Sequence, residues 1–429
     1  MNVKDYLNWK KLIKNKSLKN VMVLTSGTVL SQVLPILFFP ILSRLYTPAD
    51  YGVLGLFMSI SMLLMLISNL QLNYAILIPK EDKEALKVLM TGLHLIIFFT
   101  VISLLLVIAF GGGITQLLSS SELKPWLYLL PATVLFSGAN IQLSAWFNRT
   151  GQFNVISSSR VTTSLVTVFF SLTFSQVIIG SGGLLISYFL GSLSSFFILF
   201  INFKKRQSIF PISYKELIQV VKANKNYPLF TLPTELLNNL TQQLPLYIFS
   251  MYSGVQTVGW FSRGRQILGL PINYISGSVS EVYKQKASEA FRNNPSALKP
   301  LFFKTLGYLF LFSIVPFLLL GFFSPFLFAF FFGENWRQAG VFTQCLVVMY
   351  FFKFVISPLT FNFLLMGKQR INFAFHVITI FLILIALFCG LYLFKSEVLA
   401  LILFSGVYSI FYLIYGYLSF AFIPNVKSN

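Results

Sequence analysis

Residues 31–36 read SQVLPI, and residues 241–246 read TQQLPL. Both strings lie inside apolar stretches, 210 positions apart, and both show the order polar residue, Gln, any residue, Leu, Pro, aliphatic residue. A repeated string in matching surroundings predicts that the chain consists of two copies of one membrane module. The cleft between the two copies is then the expected place of function.

The composition predicts a membrane protein. Of the 429 residues, 56% are hydrophobic and only 10% are charged, whereas soluble domains carry about 25% charged residues. Mostly apolar runs recur along the whole chain, and about 20 such residues cross the hydrocarbon core as a helix. Alternating segments of about ten residues, typical of membrane β-barrels, are absent from the sequence. We therefore expect an all-α polytopic membrane protein.

Two smaller features of the sequence fit this class. Cys345 and Cys389 lie in apolar segments without a CxxC spacing or a His cluster, so we expect inert core thiols, no metal and no structural disulfide. Six lysines within residues 1–20 precede an apolar stretch that begins at Val21. That stretch is too long for a signal peptide and lacks a cleavage site, so it is interpreted as the first membrane helix.

Twelve transmembrane helices are predicted, separated by turn-rich strings such as Gly111-Gly112-Gly113. Their approximate boundaries are 21–44, 51–78, 86–110, 125–148, 155–179, 183–203, 227–252, 255–282, 301–331, 340–366, 371–393 and 397–421. The longest inside connection is basic and divides the chain almost in half. The predicted domains are an N-terminal six-helix lobe (1–203), a basic cytoplasmic linker (204–226) and a C-terminal six-helix lobe (227–429).

The distribution of positive charge predicts the orientation, because Lys and Arg resist translocation. If the N-terminus is cytoplasmic, the inside segments hold 24 Lys and Arg and the outside loops hold four. This difference places both termini in the cytoplasm. It also explains the net charge of +20 without nucleic acid as a partner.

The repeat has a second pair of matching strings, Gly151-Gln152-Phe153-Asn154 after span four and Gly367-Lys368-Gln369-Arg370 after span ten. Chance similarity between apolar segments is the alternative. Because each half has an even number of spans, the halves would be parallel repeats related by an axis along the membrane normal. In such transporters the substrate site lies in a central cavity between the repeats, and one half rocks against the other.

Polar residues follow one face of several predicted helices. The stripes are Thr231, Glu235, Asn238, Asn239 and Gln242 in span seven, Gly259, Arg263, Gln266, Asn273, Gly277 and Ser280 in span eight, Thr25, Thr28, Gln32 and Ser43 in span one, and Asn69 and Asn73 in span two. Hydrogen bonds between helices explain each position singly, whereas the coincidence of stripes predicts a shared cavity. Pro233, Pro245 and Pro271 are expected to kink the helices beside it.

Charged residues inside the membrane usually face a protein interior or a wet cavity, because a charge in hydrocarbon costs at least about 2.5–3.5 kcal/mol. Arg263 lies on the polar stripe and is assigned to the cavity. Arg265 points about 200° away and is assigned to snorkelling or to a contact between helices. Lys353 is a second candidate cavity cation. Glu235 is expected either to neutralise Arg263 or to carry a coupling proton.

Arg160 and His376 each lie nine residues after a matched glycine, Gly151 or Gly367. This spacing makes them candidate symmetry mates in the cavity, and packing or a helix-end contact is the alternative. His94 stands alone in an apolar run. It is expected to be a hydrogen-bonded core residue.

The string Ser43-Arg44-Leu45-Tyr46-Thr47-Pro48-x-Asp50-Tyr51-Gly52, after Ser31-Gln32 and Pro35, resembles the opening of bacterial lipid-linked oligosaccharide flippases. These are the Wzx-type O-antigen and capsule transporters of the multidrug/oligosaccharidyl-lipid/polysaccharide exporter superfamily. Thr241-Gln242-Gln243-Leu244-Pro245 and Val258-Gly259-x-Phe261 are similar to the family's seventh and eighth helices. The resemblance covers essentially the whole chain.

The resemblance implies a flippase that moves undecaprenyl-pyrophosphate-linked oligosaccharide repeat units from the inner to the outer face of the cytoplasmic membrane. Because a pyrophosphate dianion cannot cross hydrocarbon unaided, Arg263, with Lys353 or Arg160, would offer it charge-assisted donors. Asn and Gln side chains would bind sugar hydroxyls. The expected partners are this substrate, membrane lipids, and the polymerase and other glycan-assembly proteins. No cofactor is expected beyond coupling to an H⁺ or Na⁺ gradient.

Three alternatives stay open. A drug exporter of the same superfamily would carry a carboxylate in the cavity of the first half, where this sequence has no charged residue at mid-membrane depth. A lipid II flippase would be longer, with extra C-terminal helices. A membrane glycan polymerase or glycosyltransferase would be an enzyme with a large outside loop or an acidic pair, and the sequence shows neither, nor a P-loop, metal set or nucleophile triad.

Overall fold

The computed structural model describes residues 16–207 and 212–423, apart from the side chains of 16–25, 369, 370, 372 and 373. The first lysines of the predicted N-terminal cluster, residues 208–211 of the predicted linker, and Lys427 lie outside the described residues. The described residues form helices and no strand. The predicted all-α architecture is thereby confirmed.

The chain forms two compact units, one ending at Leu244 and one beginning at Pro245. The helices of the first unit are α1 (Lys16–Leu37), α2 (Phe39–Leu45), α3 (Pro48–Asn69), α4 (Leu72–Ala75), α5 (Asp82–Leu117), α6 (Leu130–Arg149), α7 (Phe153–Phe174), α8 (Gly182–Lys204), α9 (Tyr214–Ala223) and the first half of α10 (Leu232–Ser253). Because α10 runs through the unit boundary, the predicted lobe limits of 1–203 and 227–429 stay a prediction.

The second unit continues from α10. Its helices are α11 (Val255–Pro271), α12 (Gly277–Asn293), α13 (Leu298–Phe332), α14 (Arg337–Ile356), α15 (Phe361–Leu365), α16 (Gln369–Phe388) and α17 (Glu397–Ala421). A single helix was expected over 255–282, but a π-helical turn, Ile272–Ser276, follows Pro271, and α12 then extends to Asn293. The predicted span 340–366 is likewise broken by a 3₁₀ turn at Ser357–Thr360, which contains Pro358. Proline removes a helical hydrogen bond, so both breaks follow from the sequence.

Helices lie at all twelve predicted spans, but the break expected at Gly111-Gly112-Gly113 was wrong, because α5 continues through these residues to Leu117. By length and composition, nine in the described part of the chain could cross a membrane: Ser26–Leu45, Pro48–Asn69, Asp82–Leu117, Phe153–Phe174, Gly182–Lys204, Pro295–Phe332, Glu334–Leu365, Ala374–Leu393 and Glu397–Ala421. The other three predicted spans correspond to α6, α10 and α11. These carry many of the polar residues, which lowers their mean hydropathy.

The core of the first unit lies where the ends of several helices pack together. In it Trp146 packs edge-on against Phe203, with ring centroids 6.0 Å apart, and α9 and the turn before α10 pack on the same cluster. Arg149, at the end of α6, donates hydrogen bonds to the carbonyls of Ile76 and Pro79. The loop between α4 and α5 is therefore held against α6.

The second unit is built around α14. This helix packs against α11, α13 and α17, and its 61% buried membrane window is the most enclosed of the nine described spans. Gly340 lets α13 approach closely, because an added Cβ would lie 2.5 Å from the Ser324 carbonyl oxygen. Helix α14 is therefore enclosed by α11, α13 and α17.

Candidate functional site

The polar stripe of α10 belongs to the first unit. Glu235 and Asn238 are half-buried, and Gln242 is exposed. Asn239 is buried, and its Nδ2 donates to the Glu235 carbonyl oxygen at 2.8 Å. Gln243, which the stripe did not include, is also buried, and its Nε2 lies 3.7 Å from Met62 Sδ on α3. Part of the predicted stripe therefore forms contacts within its own unit.

The remaining candidates of the first unit lie apart from one another. Arg160 Nη1 on α7 donates to Thr28 Oγ1 on α1 at 2.6 Å. Asn69 ends α3 and is buried, Asn73 is half-buried, and Gln32 is exposed. The Arg160–Thr28 hydrogen bond joins α7 to α1. It is consistent with a packing role for Arg160 and also with a role in a substrate site.

In the second unit, Arg263 and Gln266 are brought together on α11. Arg263 Nη1 donates to Gln266 Oε1, as expected for residues three apart on one helix face. Asn273 lies in the π-helical turn and is exposed. Glu235 belongs to the other unit, so its pairing with Arg263 stays a prediction.

Lys353 and Arg265 each stand over an aromatic ring of their own helix. The Lys353 Nζ lies 5.5 Å from the centroid of the Tyr350 ring on α14, and Arg265 Cζ lies 5.6 Å from the centroid of the Phe261 ring on α11. On α17, the Tyr408 ring stacks on the Tyr412 ring, with centroids 6.2 Å apart. Both cations therefore contact an aromatic face, an arrangement that attracts a positive charge.

Helices α11 and α14 pack closely against each other at Gly264. A Cβ at Gly264 would lie 2.7 Å from Thr343 Oγ1 and 3.3 Å from the Ala339 carbonyl oxygen, so only glycine allows this approach. Beyond Arg265 along the chain, Ser276 Oγ donates to the Phe354 carbonyl oxygen at 2.8 Å. Arg265 is thereby held between two attachments to the helix that carries Lys353.

Four buried aromatic rings pack inside the second unit near Arg265 and Tyr408. The rings of Phe249, Phe261, Phe342 and Phe404 are each at most 4% exposed, and the Phe261 and Phe404 centroids are 6.4 Å apart. Arg265 follows Phe261, and Tyr408 follows Phe404, by four residues, about one helical turn. Arg265 and Tyr408 are themselves half-buried.

Of the twelve predicted site residues, eight lie in the first unit and four in the second. The structure groups Arg263 with Gln266 and places Lys353 over the Tyr350 ring. Tyr350 was not among the predicted site residues, although its spacing of three residues from Lys353 was a visible signal.

Several other predicted residues have structural surroundings. His94 Nδ1 is hydrogen-bonded to the Met90 carbonyl oxygen at 2.8 Å, but the residue is exposed rather than in the core. His376 is half-buried, with its ring 5.5 Å from that of Phe411. Cys345 and Cys389 are half-buried free thiols.

The motif at residues 43–52, which follows span one, contains the N-terminus of α3. Thr47 and Asp50 form a reciprocal capping box for α3, with Pro48 in the first turn. Tyr46 is buried, and its hydroxyl donates to the Ser171 carbonyl oxygen on α7 at 2.7 Å. These residues thus have a structural role within the first unit.

Comparison with known proteins identifies the family. A family model described as polysaccharide biosynthesis protein matches residues 41–341. The chain belongs to the polysaccharide biosynthesis protein family. No curated protein matches this member of the family at a significant level.

The fold of this polysaccharide biosynthesis protein is shared with solved transporters. The lipid II flippase MurJ, in an inward closed conformation, has a TM-score of 0.69 at 16% identity, over 94% of this chain and 87% of that chain. A MOP superfamily transporter from Pyrococcus furiosus, described as having a binding pocket of reversed polarity, has a TM-score of 0.63 at 14% identity, over 94% of both chains. An inward-facing MATE family transporter has a TM-score of 0.62 at 12% identity, over 94% of this chain and 100% of that chain.

These likenesses show a fold of two six-helix repeats. The polysaccharide biosynthesis protein is therefore a multi-pass membrane protein with the fold of flippases and exporters. The solved proteins that it resembles are transporters rather than enzymes.

Proposed function

We propose that this polysaccharide biosynthesis protein is a Wzx-type flippase of the bacterial cytoplasmic membrane, with both termini in the cytoplasm. It moves undecaprenyl-pyrophosphate-linked oligosaccharide repeat units from the inner to the outer face by alternating access, for O-antigen or capsule assembly. The protein is not an enzyme in this proposal.

The observation that carries the proposal is the combination of family and fold. The family model covers residues 41–341, and the fold is that of a protein that flips lipid II. A polysaccharide assembly protein with a lipid flippase fold is best explained by transport of a lipid-linked glycan. The basic character of the chain, +20 at pH 7, suits a substrate that carries a pyrophosphate.

Residue roles follow from charge and hydrogen-bonding capacity. Arg263 provides donors to the pyrophosphate, and Gln266 orients its guanidinium through their hydrogen bond. Arg160 and Lys353 are the further candidate cations. The neutral amides Gln32, Asn69, Asn73, Asn238, Asn239, Gln242 and Asn273 are candidates for the sugar hydroxyls, and Glu235 for the coupling proton.

Transport against a gradient needs an energy source, and we propose coupling to the H⁺ or Na⁺ gradient without another cofactor. Membrane lipids surround the protein and accept the prenyl tail. A glycan polymerase and other assembly proteins receive the transported unit. Nucleic acid has no role in this proposal.

A drug exporter is the second candidate, because the fold is also that of MATE transporters. Lipid II is a further candidate substrate, because the MurJ flippase has the same fold. In either case deletion of the gene would leave the surface glycan intact.

The test is deletion of the gene in its host, with measurement of surface glycan and of lipid-linked repeat units on each membrane face. The flippase proposal expects loss of surface glycan and accumulation of repeat units on the inner face. Repeat units that reach the outer face unpolymerised would refute it and favour a polymerase.

Complementation then tests the residue roles. Wild-type protein should restore surface glycan, whereas Arg263→Ala should not. Arg337→Ala is the matched control, because Arg337 forms an exposed ion pair with Glu334 at one end of α14. If Arg263→Ala and Arg337→Ala restored surface glycan equally well, Arg263 would not be part of the substrate site.

A further inference from the structure

We propose that the second unit contains a paired hinge, formed by the π-helical turn Ile272–Ser276 and the 3₁₀ turn Ser357–Thr360. About this hinge α12 and α15 move together relative to α11 and α14. The hydrogen bond from Ser276 to the carbonyl of Phe354 is the latch that fixes the angle between the two parts. The hinge lies within the second unit and does not depend on the proposed flippase function.

The latch replaces a backbone hydrogen bond that proline removes. Pro358 has no N–H, so the carbonyl of Phe354, four residues earlier, loses its helical partner. Ser276 Oγ, from the other turn, donates to this carbonyl at 2.8 Å, and Ser276 and Phe354 are each 1% exposed. A buried carbonyl without a donor is costly. One hydroxyl therefore stabilises the break after α14 and holds the two turns side by side.

The same replacement occurs elsewhere in the described part of the chain. Membrane helices tolerate proline when a side chain of a neighbouring helix donates to the freed carbonyl. Two further carbonyls, each four residues before a proline, accept such a bond: that of Gly321 before Pro325, from Gln344 Nε2 at 2.9 Å, and that of Ser31 before Pro35, from Ser164 Oγ. Ser276 differs from these donors because it lies in a helix break itself, so that its bond joins two breaks.

Beyond the hinge, the helices form one hydrogen-bonded body. Tyr283 Oη on α12 donates to Asn362 Oδ1 on α15 at 3.0 Å, and Asn362 Nδ2 donates to the carbonyl of Ser419 at 3.2 Å. Ser419 Oγ in turn donates to the carbonyl of Leu359 at 2.6 Å. An apolar core is formed by residues that are each at most 3% exposed: Tyr283, Ala287, Leu298, Phe302, Leu359 and Ile423. We call α12, α15 and this core the distal body.

Before the hinge, α11 and α14 have contacts of their own. Gly264 of α11 meets Thr343 of α14, and the buried rings of Phe249 and Phe342 stack with centroids 6.3 Å apart. Helix α17 passes both parts without a break, and it is hydrogen-bonded to the distal body at Ser419, in its last turn. A distal body that pivots about this last turn leaves α17 straight. The two parts therefore meet at the paired breaks.

The latch is tested by a double-mutant cycle on the full-length protein in detergent, with thermal unfolding as the measurement. Ser276→Ala leaves the Phe354 carbonyl without its donor, and we expect the unfolding midpoint to fall by about 3 °C. In Pro358→Ala the new N–H can bond to the same carbonyl, so Ser276→Ala should then lower the midpoint by less than half as much. Equal losses in the two backgrounds would contradict the latch.

Ser313→Ala is the matched control for the latch. Ser313 is also 1% exposed, but its Oγ donates to the carbonyl of Phe310 in its own helix. That carbonyl keeps a backbone donor, because the residue four positions later is Ile314 rather than proline. We expect a shift of less than about 1 °C. A loss equal to that of Ser276→Ala would show that removal of any buried hydroxyl has this effect, and the latch would be refuted.

The motion is tested by distances between spin labels in protein that carries Cys345→Ala and Cys389→Ala. One label pair crosses the hinge, from Lys286→Cys on α12 to Val348→Cys on α14. The other pair lies within the distal body, from Lys286→Cys to Leu364→Cys on α15. All three labelled positions are exposed.

Without the latch, the angle at the hinge is free to change while the distal body stays intact. We therefore expect Ser276→Ala to shift or broaden the distance distribution of the crossing pair and to leave that of the distal pair unchanged. An unchanged crossing pair, or an equal change in both pairs, would overturn the hinge. Neither measurement requires a substrate, so failure of the flippase proposal would leave this result unaffected.

Discussion

Gly264 on α11 and Thr343 on α14 lie in direct contact, since a Cβ added at Gly264 would be 2.7 Å from Thr343 Oγ1. The two backbones therefore meet there without a side chain from Gly264 between them. Arg265, the next residue, stands over the Phe261 ring, whereas Arg263 bonds to Gln266. Two neighbouring arginines on one helix therefore belong to different surroundings.

Substitution of Gly264 should separate α11 from α14. In Gly264→Ala the new Cβ meets Thr343 Oγ1 at 2.7 Å, and this hydroxyl is buried and already bonded to Ala339. We expect a loss of about 1–3 kcal/mol in the free energy of unfolding, measured by thermal unfolding. Gly269→Ala on the same helix is the control, because no atom lies within 4 Å of its Cβ, and it should be neutral or stabilising.

Replacement of Arg149 by lysine should loosen the α4–α5 loop. The guanidinium donates to the carbonyls of Ile76, Pro79 and Lys80 and pairs with Asp82, and one ammonium cannot reproduce this planar set. Arg149→Lys is expected to lower the free energy of unfolding by about 1–3 kcal/mol.

The control for Arg149 is Arg337→Lys. The Arg337–Glu334 ion pair is exposed, so its loss should change the free energy of unfolding by less than about 1 kcal/mol. Similar thermal midpoints for the two variants would show that the carbonyl contacts of Arg149 contribute little.

The stability of α9 should depend on pH through Glu216. Hydrogen bonds from the Ser213 backbone and side chain hold the pKa of this carboxyl below its ordinary value of 4.5. A lowered pKa in the folded helix means that the stabilisation is present above the ordinary pKa and is lost as pH falls through the folded-state value. Hydrogen exchange of the α9 amides should accordingly report greater opening at acidic pH, after correction for intrinsic rates.

Glu216→Gln provides the comparison for this pH effect. The amide can still accept from Ser213 but has no charge to lose. The opening of α9 in Glu216→Gln should therefore be nearly independent of pH. A pH response equal to that of the wild type would assign the effect to another group.

The sequence predicted which segments are helical because hydropathy and helix breakers act locally. The turns at Pro271 and Pro358 lie where proline removes a backbone bond, although one continuous helix was expected across each of them. His94 shows a limit of the same reasoning. An apolar run does not reveal which of its faces is buried, and His94 proved to be exposed.

The sequence by itself determined the class of protein: apolar length, low charge and the basic linker are sums over neighbouring residues, and they predict a polytopic helical membrane protein whatever the packing. Only the tertiary structure decided that α11 meets α14 at Gly264 and Thr343. The physical reason is that the direction of a side chain on a helix is known from its position, whereas its neighbour depends on how closely two helices approach. In the second unit that approach is set at Gly264, more than 70 residues before Thr343, its partner on α14.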